Sequence, residues 1–162
     1  MCIRDSNYLN ADQLDKATIV LEKSITTDSQ YSAQAAHWLA EEIYLKSDPA
    51  QAQKAYDLST TWIAKTTENL KTADASAAQK STLVSLKMDQ ANAIYAMPER
   101  RKESIPLYQT IVAQHSDHPL APQSLYNAAF ASLELGDYKA AIDQSAAFEK
   151  AYAQSDLSLI HI

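Results

Sequence analysis

The densest group of metal-ligand residue types in the chain is His115-Ser116-Asp117-His118. Two imidazoles and a carboxylate this close together are donors that zinc accepts. The segment also falls between two helical stretches, where a solvated turn is the plainer reading. Carboxylates pair at Glu41-Glu42 and at Glu99/Glu103. General acid–base work needs an enclosed pocket that drives two carboxyl pKas apart; on a polar helix face such pairs are simply solvated. Ser24, Ser85 and Ser132 lie outside any G-x-S-x-G turn, the context of one common activated serine. The expectation is a chain that is not an enzyme, with no metal and no cofactor.

Composition narrows the elements that could carry any site. The 162 residues include one glycine, Gly136, against 28 alanines; average glycine usage is about 7%. A β-rich fold needs many backbone positions with φ > 0, which glycine supplies most easily. Neither a G-x-G-x-x-G nor a G-x-x-x-x-G-K-[ST] phosphate loop can be written with one glycine. Apolar residues make up 46% and charged residues 21%, the balance of a globular chain rather than a disordered one. An all-helical protein remains.

The net charge is −6 and the sequence pI is about 5.1. The densest basic run, Arg100-Arg101-Lys102, is flanked by Glu99 and Glu103. No basic stripe is present for nucleic acid or an anionic membrane surface. Nor does any stretch approach the ~18–20 apolar residues of a membrane span.

The two ends differ in character from the rest. MCIRDS at residues 1–6 and LSLIHI at 157–162 resemble translated sequencing-adapter read-through. The expected natural array is 7–156, a fragment of a longer protein. On that reading Cys2, the lone cysteine, and His161 carry no chemistry, and the start of the chain says nothing about compartment.

Between the ends, apolar spacing is helical. Leu125, Ala128, Ala129, Ser132 and Leu133 step by threes and fours along one face. Gly136 then suits the left-handed position that closes a helix, and Asp137 suits the N-cap of the next. Tyr138, Ala141, Ile142, Ser145, Phe148 and Tyr152 form the following stripe. A similar plan appears upstream. Ala36, Leu39, Ala40, Ile43 and Tyr44 precede Asp48-Pro49, an N-cap and first-turn proline. Ala52, Ala55, Tyr56, Ser59 and Ile63 follow. The third pair runs from about 76 to 97 and from 99 to 115. Its stripes are Leu83, Met88, Ala91 and Tyr95, then Ile105, Tyr108, Ile111 and Val112. Pro106 lies inside the second of these helices and should kink it or shift its start. A lone helix over about 11–27 comes first. The spacing therefore predicts about seven helices, over 11–27, 30–70, 76–115 and 119–153. Trp38 and Trp62, on or beside the stripes, are expected in the core.

Small residues recur at Ala17, Ala52, Ser104 and Ala141, in steps of 35, 52 and 37 residues. Two of these steps are near the ~34 of tetratricopeptide repeats. The long one holds an insertion, Thr66–Gln79, that either extends both flanking helices or forms a loop. With Leu135-Gly136-Asp137-Tyr138-Lys139-Ala140-Ala141-Ile142 as its most specific piece, the chain resembles the tetratricopeptide repeat family over nearly all of 11–153. The resemblance implies a right-handed solenoid of helical hairpins. It assigns repeat packing to Leu39, Ala40, Ala52, Tyr56, Tyr95, Tyr108, Ala129, Gly136, Tyr138 and Ala141. Ala64 and Ala153 stand where the family carries proline. Within the family, the stretch from His115 to Tyr138 is most similar to bacterial envelope proteins of the Tol-Pal-associated and outer-membrane assembly types. That favours the periplasm or cell envelope.

In such repeats the first helix of each hairpin lines a concave groove. The resemblance places Gln34, His37, Glu41 and Tyr44 there, and Gln123, Tyr126, Phe130 and Leu133. Tyr126 and Phe130 sit one turn apart. Paired aromatics off the packing stripe mark an interaction surface, or else a face for stacking on further repeats. The carboxylate-clamp subtype is not indicated: Asn127 is present, but Leu45 and Glu134 stand where basic residues are needed. The implied function is a scaffold that binds a protein or peptide. The alternative is a structural spacer whose uncapped ends stack or self-associate.

Overall fold

The computed structural model describes residues 13–27, 29–71 and 76–153. Both terminal hexamers, with Cys2 and His161, lie outside them. The described residues form seven α-helices and no strand. Helix α1 spans Leu14–Thr26 and α2 spans Ser32–Trp38. The α2 axis continues through a π-helical stretch, Leu39–Ser47, and a 3₁₀ turn, Pro49–Gln51, leads into α3, Ala52–Asn69. Then come α4 (Ala77–Ala96), a 3₁₀ segment (Pro98–Glu103), α5 (Ser104–Gln114), α6 (Ala121–Glu134) and α7 (Tyr138–Ala151).

The chain's own residues end and begin these helices. Gly136 has φ +75°. Its N–H donates to Leu133 O and the Asp137 N–H to Ser132 O, the paired bonds that satisfy the last carbonyls of a helix. Asp137 Oδ1 then accepts from Ala140 N at 3.1 Å. At α4, Ser76 and Gln79 cap each other reciprocally: Ser76 Oγ accepts from Gln79 N and Gln79 Oε1 from Ser76 N. Asp48 accepts from Ala50 N beside Pro49. Of the insertion, residues 66–69 belong to α3 and 77–79 to α4, helices of 18 and 20 residues, and 72–75 lie outside the described residues.

Two elements depart from the expected pattern. Within the helices expected over 30–70, the first is α-helical only to Trp38; from Leu39 its turns widen. The helix expected from 99 to 115 divides. Pro106 has no N–H, and its ring excludes the carbonyl four residues back. The α-helix accordingly begins at Ser104, where Pro106 falls in the first turn and needs no bond.

Among the described residues the core falls into several clusters rather than one centre. Leu21 and Ala17 of α1 meet Ala35, Leu39 and Ile43. Ala36, Trp62 and Leu86 join α2, α3 and α4, and Ala40, Ala55 and Ala93 join the π-helical stretch, α3 and α4. Val84, Met88 and Ala91 of α4 meet Tyr108, Ile111 and Ala128. Alanine at these crossings lets helix backbones approach closely, and the larger side chains fill the remaining gaps.

The residues expected to pack divide. Leu39, Ala40, Ala52, Tyr108, Ala129 and Ala141 are buried, and Tyr56 and Tyr95 half-buried. Tyr138 is a correction: it is 65% exposed, and Ile142 of the same stripe is 68% exposed. Helix α7 buries only the line Ala141, Gln144 and Phe148. Its apolar arc is wider than its contact with α6, and the flank lies open.

Candidate functional site

Tyr126 and Phe130 project from α6 one helical turn apart. Their rings lie parallel, 6.3 Å between centroids and 6° between planes. Helices α4 and α5 supply the rest of the site through Asn92, Tyr95 and Tyr108. With Asn127 these residues line an open cleft of about 380 Å³. Phe130 is 37% exposed, while Tyr108 forms part of the core beneath it.

Hydrogen bonds orient the polar lining. Tyr108 Oη donates to Asn92 Oδ1 at 2.8 Å. Asn127 Nδ2 reaches the same oxygen at 3.5 Å, and Gln123 Nε2 donates to Asn127 Oδ1 at 2.8 Å. Burial pushes the Tyr108 hydroxyl pKa far up, so it serves as a neutral donor. At the rim Tyr95 Oη donates to Glu134. Burial and that carboxylate push the Tyr95 pKa up to about 12. Arg101 sits 4.8 Å from the Tyr95 ring centroid and donates to the Tyr95 carbonyl and to Glu134. No ionised group lines the cleft. Its lining is aromatic faces beside oriented amides.

The groove residues expected on the second repeat have a different setting. Gln34 and Tyr44 are half-buried. His37 turns toward α4, with Nδ1 2.7 Å from Asp89 Oδ2. Its Nε2 lies 3.5 Å from Glu41 Oε2. Lys46 approaches Glu41 at 3.3 Å and Glu42 at 2.6 Å. Asp89 is only 1% exposed. Burial pushes its pKa up to about 6 although His37 opposes the shift. The His37 pKa is also raised: burial lowers it, and its bond to Asp89 and the nearby carboxylates outweigh that.

The cleft thus combines Tyr126 and Phe130, read as groove residues, with Tyr95 and Tyr108, read as packing. Gln123 enters as the partner of Asn127. Leu133 lies instead in a shallow depression along α7 with Tyr138 and Ile142. Sequence reasoning missed Asn92 and Asp89, which lie on a helix apolar on more than one side. His115-Ser116-Asp117-His118, the ligand types clustered in the sequence, do not converge. His115 bonds Lys87 and His118 bonds Ser81. Among the described residues the one converging set of three ligand types is His37, Glu41 and Asp89. Glu103 pairs with Arg100 at 2.8 Å, a surface ion pair.

The chain matches no family model, no curated protein and no solved structure. No helix of the described residues is long and apolar enough to cross a membrane.

Proposed function

We propose that this chain is a non-catalytic scaffold of the tetratricopeptide type, part of a larger bacterial envelope protein, which holds a protein segment or peptide in the cleft between α4 and α6. The observation that carries this reading is the parallel Tyr126–Phe130 pair, which lines an open cleft beside Asn92 and Asn127. Aromatic faces supply contact area at low side-chain entropy cost. Amide side chains can bond the backbone of an extended segment. The repeat-like spacing and the similarity of the His115–Tyr138 stretch to envelope repeat proteins support the family and the compartment.

The test is selection from a displayed random-peptide library, with a Tyr126→Ala/Phe130→Ala double variant beside the parent chain. A consensus peptide enriched by the parent and lost in an equally helical variant is the expected result. Absence of enrichment, or enrichment that the variant keeps, overturns the cleft as the binding site.

A second reading, a spacer that stacks or self-associates, rests on a separate observation. Apart from Phe130, the exposed large hydrophobic residues lie toward the two ends of the described chain. Ile19 and Tyr31 are at one, and Leu135, Tyr138 and Ile142 at the other.

A further inference from the structure

The geometry points to a divalent transition-metal site formed by His37, Glu41 and Asp89, binding one ion between α4 and the helical axis that carries His37 and Glu41. One donor atom from each residue lies within 4.8 Å of the other two. A first-row ion about 2.0–2.2 Å from each ligand sets its donors roughly 3–4 Å apart. His37 faces Asp89 with Nδ1 and Glu41 with Nε2, so in the proposed site Nδ1 binds the ion and Glu41, the more exposed carboxylate, turns toward it. The residues come from elements far apart in sequence, and helix packing brings them together.

A second feature distinguishes this set from a chance surface cluster. Asp89 is almost wholly buried, and its carboxylate points at His37. His37 is its one hydrogen-bond partner among the described residues. Without an ion, the proton on His37 and the nearby Lys46 balance this carboxylate, and a metal would take the place of that proton. Two carboxylates and a neutral imidazole balance a charge of +2. Glu41 can turn to the ion without stranding Lys46, which keeps its 2.6 Å contact with Glu42.

The opening suits an ion arriving from solvent: His37 and Glu41 are half-buried while Asp89 forms the floor. One nitrogen and two oxygens match zinc, cobalt or manganese. Calcium takes six to eight oxygens and is a poor fit. Three protein ligands leave at least one coordination position for water or for a donor from a bound partner. The site does not depend on peptide binding in the aromatic cleft.

The experiment uses the full chain, stripped with chelator and dialysed. It is titrated with Co(II) and Zn(II) by calorimetry, with the visible absorption of cobalt as a report on coordination. One ion per chain is expected, with a cobalt spectrum of fewer than six ligands. Asp89→Asn and Glu41→Gln should each weaken binding by about tenfold or more, and His115→Gln/His118→Gln should leave it unchanged. Absence of stoichiometric binding overturns the site. So does binding that survives both carboxylate variants, or binding lost with His115 and His118. If Asp89→Asn loses helicity, Glu41→Gln at the more accessible ligand decides the outcome.

Discussion

The ammonium of Lys87 donates to Nε2 of His115 across 3.0 Å. Lysine has only donors to offer, so that imidazole nitrogen must be an acceptor and the ring neutral. The bond ties the middle of α4 to the end of α5, and Gln114 accepts from the same ammonium at 2.9 Å. Burial lowers the His115 pKa, and Lys87 and His118 lower it further. Burial also lowers those of His118 and Lys87. Two imidazoles that looked like metal ligands in the sequence are engaged in packing a turn.

This pairing gives a pH dependence of definite sign. A base whose folded pKa lies below its unfolded value binds fewer protons when folded. Stability falls as pH drops through the ordinary histidine range near 6.5. Protonation of His115 also breaks the Lys87 bond and sets two cations together. The melting temperature of the parent chain, measured from about pH 7.5 to about 5.5 with chelator present, should fall more than that of His115→Gln. The group is half-buried and screened, so the difference should be on the order of 0.5 kcal/mol. Equal slopes would show that the imidazole stays neutral for no energetic reason.

Gly136 tests the backbone alone. A Cβ built there meets nothing within 4 Å, yet φ is +75°. Any loss in Gly136→Ala is conformational rather than steric crowding from neighbours. We expect destabilisation of about 1 kcal/mol by chemical denaturation, with Gly136→Asn losing less, since asparagine tolerates the left-handed region. A neutral alanine variant would mean that the α6–α7 turn does not depend on this conformation.

The open flank of α7 predicts an association that can be removed by one change. Tyr138, Ile142 and Leu133 border a single depression, and contiguous exposed apolar surface of this kind is commonly an interaction site. In sedimentation velocity the parent chain should show concentration-dependent association, and Ile142→Glu should remain monomeric at equal helicity. A parent chain monomeric at high concentration removes the support for the self-associating spacer.

Much of the helical framework was legible in the residues themselves. One glycine in the chain left few turns other than helix ends. Three-and-four spacing marked the helices, and Gly136-Asp137 marked the sharpest turn because both residues act on backbone groups beside them. Pro106 displaced a helix start for the same local reason. These effects reach only a few residues along the chain, so a linear reading captures them.

Packing decided the rest. Helix α4 is buried on more than one side, with Leu83, Leu86, Ala91 and Ile94 all in the core. Its apolar residues extend beyond the stripe of Leu83, Met88, Ala91 and Tyr95, and nothing in it marks Asp89 as the partner of His37, 52 residues away. The same holds for Asn92 beneath Tyr126 and Phe130. Tyr138 erred in the other direction: its spacing belongs to an apolar stripe, but burial needs a neighbour, and α6 covers only part of α7. Periodicity along a helix determines which side chains share a face. Only the arrangement of the other helices determines whether that face is covered, and which polar groups meet there.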